Sequence, residues 1–84
     1  MDTITNMRAL LTVARFGSFS AAARELSLST AMVSKHVKQL EEKLDVRLLH
    51  RTTRGVSLSE PGELYCQYAA EILDKVDECT NAVQ

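Results

Sequence analysis

Aromatic residues are scarce in this chain: two Phe, two Tyr and no Trp, 5% in all. Any core must therefore be aliphatic. Proline and glycine are also few, one and three, and no linker rich in Gly, Ser or Pro divides the sequence. There are no internal repeats and no low-complexity segments. The two cysteines, Cys66 and Cys79, give no disulfide framework, and a reducing cytoplasm is the expected compartment. No run of 18 apolar residues occurs, so no membrane span is expected. The opening stretch MDTITNMRALL lacks the basic region and apolar core of a secretory signal. His36, His50, Cys66 and Cys79 contain no pair at zinc-binding spacing, so neither metal nor cofactor is expected. A nucleophile set and a glycine-rich phosphate loop are missing too, and the eleven acids scatter along helix exteriors. An enzyme is not indicated.

What remains is one small domain of 84 residues, 45% apolar and 25% charged, near the lower limit for an independent core. Its net charge of −1 conceals a split. Residues 1–59 hold nine Lys/Arg against five Asp/Glu, a balance of +4, while residues 60–84 hold one against six, a balance of −5. A polyanion would bind the first part and avoid the second.

The stretch Phe19–Val37 reads as two short helices joined by a tight turn. Phe19, Ala22, Ala23 and Leu26 share one side of the first. Ser27 takes the turn at a conformational cost, Leu28 is expected as an apolar plug, and Ser29 caps the second helix, 30–44. Val33, Val37, Leu40 and Leu44 form its inward stripe. Ala31, Ser34, Lys35 and Lys38 face outward. Small residues and cations on the leading face of the second helix suit a helix-turn-helix recognition element. On an isolated amphipathic helix the lysines would read as solvated; behind this turn they read as DNA contacts.

Before this unit, residues 2–16 read as a helix apolar on two sides, one carrying Ile4, Met7, Leu10, Leu11 and Ala14 and the other Ala9, Val13 and Phe16. Gly17 stops it and Ser18 caps the next helix. After the recognition helix, Glu41, Glu42 and Lys43 are expected to solvate its far end, and Asp45 ends it where glycine would serve better. His36 is expected at the edge of the buried stripe, making one hydrogen bond. Residues 48–51 and 56–59 read as two strands around a Thr52–Gly55 loop, with His50 packing and Arg51 and Arg54 projecting. This basic hairpin, within 47–59, is a wing.

Ser59-Glu60-Pro61 opens a last helix running to about Ala82. Tyr65, Tyr68, Ala69, Ile72, Val76, Cys79 and Val83 recur at spacings of three and four, flanked by Leu64 and Leu73. The seam exceeds what a small body covers, so a helix from a second copy is the simplest partner. Cys79 is expected as a buried structural thiol.

The strings FGSFSAAARELSLS, MVSKHVKQLEEKLDVRLLHRTTRGVSLSEPG and the seamed helix after them resemble the DNA-binding region of LysR-type transcriptional regulators, over nearly the whole chain. The resemblance implies a mainly α fold: a winged helix-turn-helix body, 1–59, followed by a linker and dimerisation helix, 60–84. In the family this helix pairs two subunits and leads to an effector-binding domain, which these residues do not include. The family's base-reading face falls on Ser29, Thr30, Ala31, Ser34 and Lys35, and its wing contacts on Thr52, Thr53 and Arg54. Four features depart from the family pattern. Ser27 and Asp45 stand where glycine is usual, Lys35 where arginine is common, and Thr30-Ala31 where glutamine or proline is often found. Lysine loses the bidentate fork that reads guanine.

The combined expectation is a bacterial homodimer that binds double-stranded DNA at an A·T-rich interrupted palindrome and controls transcription. Any small-molecule effector would act on the missing domain. The alternative is a winged-helix protein-interaction module, which would have no need for cations on the recognition helix and wing tip.

Overall fold

The first helix, α1 (Thr3–Phe16), begins one residue later than its periodicity predicts, because Asp2 caps it. The Asp2 carboxylate accepts from the Thr5 N–H at 2.7 Å and from Thr5 Oγ1 at 3.0 Å. The backbone hydrogen bond, then the hydroxyl, holds that carboxyl below its ordinary range. The structure is a computed structural model and describes residues 2–84.

Gly17 ends α1 in the left-handed region at φ 66°, its N–H donating to the Val13 carbonyl at 2.7 Å. Ser18 then caps α2 (Phe19–Leu26), and Ser29 caps α3 (Thr30–Leu44) by accepting from the Met32 N–H at 3.1 Å. Ser27 and Asp45 end α2 and α3 in left-handed conformation, at φ 56° and 55°. Each turn closes with a six-to-one hydrogen bond, Leu28 N–H to the Ala23 carbonyl and Val46 N–H to the Glu41 carbonyl. The Leu28 backbone closes its turn, but the side chain is exposed and plugs nothing.

β1 (Leu49–Thr52) and β2 (Gly55–Leu58) form an antiparallel hairpin in the register Leu49↔Leu58 to Thr52↔Gly55. Both strands sit one residue from the expected bounds, since Thr52 and Gly55 pair and leave only Thr53-Arg54 in the turn. Side chains alternate. Leu49 is buried, whereas His50 points the other way and is exposed, so it does not serve packing.

α4 (Glu60–Ala82) starts on a doubly used serine. Ser59 Oγ accepts from the Gly62 N–H at 3.0 Å and donates to the Arg47 carbonyl at 2.6 Å. Gly62 lies so close to the strand entrance that a Cβ there would overlap the Leu48 carbonyl oxygen.

The core joins α1, α2, α3 and the entrance to the wing through Leu10, Val13, Ala22, Val33, Leu40 and Leu48, all fully enclosed. Cys66 of α4 completes it. The two apolar sides of α1 are satisfied within the chain. Ala9 and Val13 face the main core, and Met7 packs with Ala69 and Leu73 of α4. Arg8 Nη2 and Asp77 Oδ1, 2.8 Å apart, tie the same two helices further along. Phe16 is left exposed. The fold is mainly α: a three-helix bundle, a two-stranded wing and a long C-terminal helix. Among the described residues, no helix is long and apolar enough to cross a membrane.

Candidate nucleic-acid interface

α3 is buried along one side by Val33, His36, Val37 and Leu40. His36 is itself enclosed, and its Nδ1 meets Asn6 Oδ1 of α1 at 3.0 Å. That bond is the one expected of it, made inside the core rather than at its edge. The opposite side carries Ala31, Lys35 and Lys38, all exposed, and the half-buried Ser34. Thr30 and Ser29 are exposed at the N-terminal end, where the first N–H groups of the helix are unpaired within it.

The wing lies beside this face. Thr52, Thr53 and Arg54 are exposed at its tip, where Thr52 Oγ1 accepts from the Arg54 N–H at 3.2 Å and shapes the turn. A cleft of about 320 Å³ separates α3 from the hairpin, lined by Ser34, Lys38, Glu41, Arg47 and Arg51 among others. Two side chains hold its walls together. Glu41 Oε2 accepts from the Leu48 and Leu49 N–H groups at 2.8 and 3.3 Å. Arg51 Nη2 donates to Ser34 Oγ at 3.2 Å, its guanidinium lying 4.2 Å from the Phe19 ring centroid.

Two expectations change here. Glu41 does not solvate the helix end: it is half-buried, because the strand's first N–H groups need an acceptor. Arg51 turns towards the helices, as the alternation from Leu49 requires. That alternation was the available signal for both Arg51 and His50; no local signal marks Glu41.

The electrostatics favour an anion. The described residues form ion pairs at Arg8–Asp77 and Lys75–Glu78. Lys35, Lys38, Arg47, Arg51 and Arg54 are in neither, so their charges are uncompensated by contact. No three His, Cys, Asp or Glu side chains among the described residues are grouped to hold a metal.

Along α4, the residues read as one seam do not share one environment. Ala69 turns to the chain's own core and is completely covered, together with the flanking Leu73 and with Gly62 and Cys66, which the seam does not include. Tyr65 and Val76 are half-buried. Leu64, Tyr68, Ile72 and Val83 are exposed, Tyr68 at 62% and Val83 at 85%. Cys79 is exposed as well, not buried in this chain. The exposed strip continues onto Leu44 and Val46, which line an apolar hollow with Pro61, Leu64 and Tyr68.

A helix-turn-helix with a hairpin beside it and uncompensated cations on both defines a winged helix-turn-helix domain, a fold used by DNA-binding regulators. The profile of the bacterial regulatory helix-turn-helix proteins of the lysR family matches residues 4–63, and the chain belongs to that family. The match runs from α1 through the wing to the first turn of α4. The chain is 40% identical over 78 residues to the HTH-type transcriptional activator AaeR of Escherichia coli K12, a match covering 93% of this chain and 25% of that protein. The chain thus spans about a quarter of the relatives it matches. The BenM DNA-binding domain in complex with catB site 1 DNA superposes with a TM-score of 0.92 at 30% identity, covering 99% of this chain and 92% of that one. Full-length CbnR in complex with its target DNA gives 0.88 at 28% identity, covering 99% and 28%.

Proposed function

We propose that this chain is the sequence-reading part of a homodimeric transcriptional regulator, binding double-stranded DNA with α3 in the major groove. Residues 1–59 form the DNA-binding unit and 60–84 the dimerisation helix. The observation that carries the reading is the shared face of α3 and the wing, where five cations have no acidic partner among the described residues. Ala31 keeps the helix surface low enough to enter a groove. Ser29, Thr30, Ser34 and Lys35 are the base readers, while Lys38 and the helix N-terminus hold phosphate. Thr52, Thr53 and Arg54 meet the adjacent minor groove or backbone. Superposition on DNA complexes of BenM and CbnR supports this assignment.

The exposed strip Leu64, Tyr68, Ile72, Cys79 and Val83 recurs at helical spacing on an otherwise acidic helix. A second copy of α4 covers it most simply, and pairing presents two recognition helices to a dyad-related site.

Titration of a labelled duplex at several salt concentrations tests the assignment. Lys38→Ala should weaken binding to all sequences alike and lower the salt slope by about one. Lys35→Ala should weaken the preferred site more than unrelated DNA. If neither variant changes affinity, α3 is not the reading helix.

A further inference from the structure

Arg51 is not among the residues that the sequence pattern assigns to DNA. It nevertheless holds two elements of the interface at once. Its guanidinium lies over the Phe19 ring at the start of α2, 4.2 Å from the centroid, and its Nη2 donates to Ser34 Oγ on α3 at 3.2 Å. The ring fixes the guanidinium plane, which leaves its N–H groups aimed rather than free to wander. We infer that Arg51 is a specificity-determining positioning residue: by donating to Ser34 Oγ it makes that hydroxyl a hydrogen-bond donor towards the base edge.

The chemistry follows from the hydroxyl's inventory. A serine has one O–H to give and two lone pairs that accept. Left alone it rotates, and so meets either a donor or an acceptor on a base. Here one lone pair is taken by an ionised donor. The positive charge beside the oxygen opposes the approach of a second N–H, and it polarises the O–H outward. The partners that remain are acceptors: purine N7, guanine O6, thymine O4 or a phosphate oxygen. Cytosine N4, a donor, is rejected. Ser34 then discriminates at one base pair, although a free hydroxyl is the least selective of base readers.

The inference rests on the DNA-binding reading above, and its test separates the two. The 84-residue chain and its Arg51→Gln, Ser34→Ala and double variants are titrated against a preferred duplex and against all its single base-pair substitutions. Wild type should disfavour cytosine in the contacted strand at one position by about five- to tenfold. Arg51→Gln should erase that preference there and keep the others. In the double variant Arg51→Gln should add nothing at that position beyond Ser34→Ala. A uniform loss with every positional preference intact would overturn the inference, leaving Arg51 a plain phosphate contact. So would independent, additive effects of the two substitutions. If wild type shows no preference at any position, the DNA-reading assignment itself fails, and the inference with it.

Discussion

The Glu41 carboxylate of α3 accepts the Leu48 N–H at 2.8 Å, where the chain enters the wing. Recognition helix and wing are thereby joined by a charged hydrogen bond and not by apolar packing alone. Replacing the carboxylate strands two backbone donors, Leu48 and Leu49. Glu41→Ala should cost about 1.5–3 kcal/mol in urea unfolding. Hydrogen exchange should quicken at those two amides before it quickens in α1.

Two turns carry avoidable strain. Ser27 and Asp45 hold positive φ without being glycine, and Asp45 also sets a negative charge at the negative end of the α3 dipole. Asp45→Gly should stabilise the chain by about 1 kcal/mol, and Ser27→Gly by somewhat less. For a domain of this size that corresponds to a rise in Tm of roughly 4–8 °C per kcal/mol. Calorimetry of both variants checks the order.

Stability should also fall on the alkaline side through Cys66. Burial pushes this thiol above its ordinary value of 9.0, so it ionises first in the unfolded chain. Its contribution is complete below pH 9.0 and is lost as pH rises through the raised folded value. Tyr65, raised by burial and then by the neighbouring Cys66 charge, acts in the same direction at higher pH. Urea midpoints from pH 7 to 10 should decline less steeply in Cys66→Ala than in wild type. An unchanged slope would mean that the thiol is solvated.

The exposed strip of α4 gives a prediction about mass. Tyr68 and Ile72 face outward from the chain's own core, so charging them should leave the fold intact. Tyr68→Glu with Ile72→Glu should yield monomers by light scattering while retaining the wild-type helical circular dichroism. A dimer mass for this variant would place the contact elsewhere.

The caps were the most legible part of the sequence. Ser18, Ser29 and Ser59 each act on the amide three residues ahead, so local order suffices to find them. The inward stripe Val33, Val37, Leu40 and Leu44 holds for its first three residues, whereas Leu44, at the last turn of α3, is exposed. What escaped was decided at a distance. The hydrogen bonds of Glu41 reach seven and eight residues along the chain, through a bend that its own helix does not reveal. On α4, two apolar strips lie side by side, and sequence spacing alone does not say which one meets α1. Packing decides it: small Ala69 admits close approach beside Met7, and bulky Tyr68 is left outside. Cys79 is exposed as well, just under one turn beyond Val76 and past the cluster of Met7, Ala69 and Leu73. Leu28 is exposed because its backbone, not its side chain, completes the turn.

The most direct test is selection of duplexes from a random pool by the 84-residue chain, at two salt concentrations. An interrupted palindrome that persists at the higher salt is the predicted result, and its half-site spacing reports the separation of two recognition helices. Binding without sequence preference, abolished by the modest rise in salt, would contradict the account and reduce the basic face to a general polyanion surface.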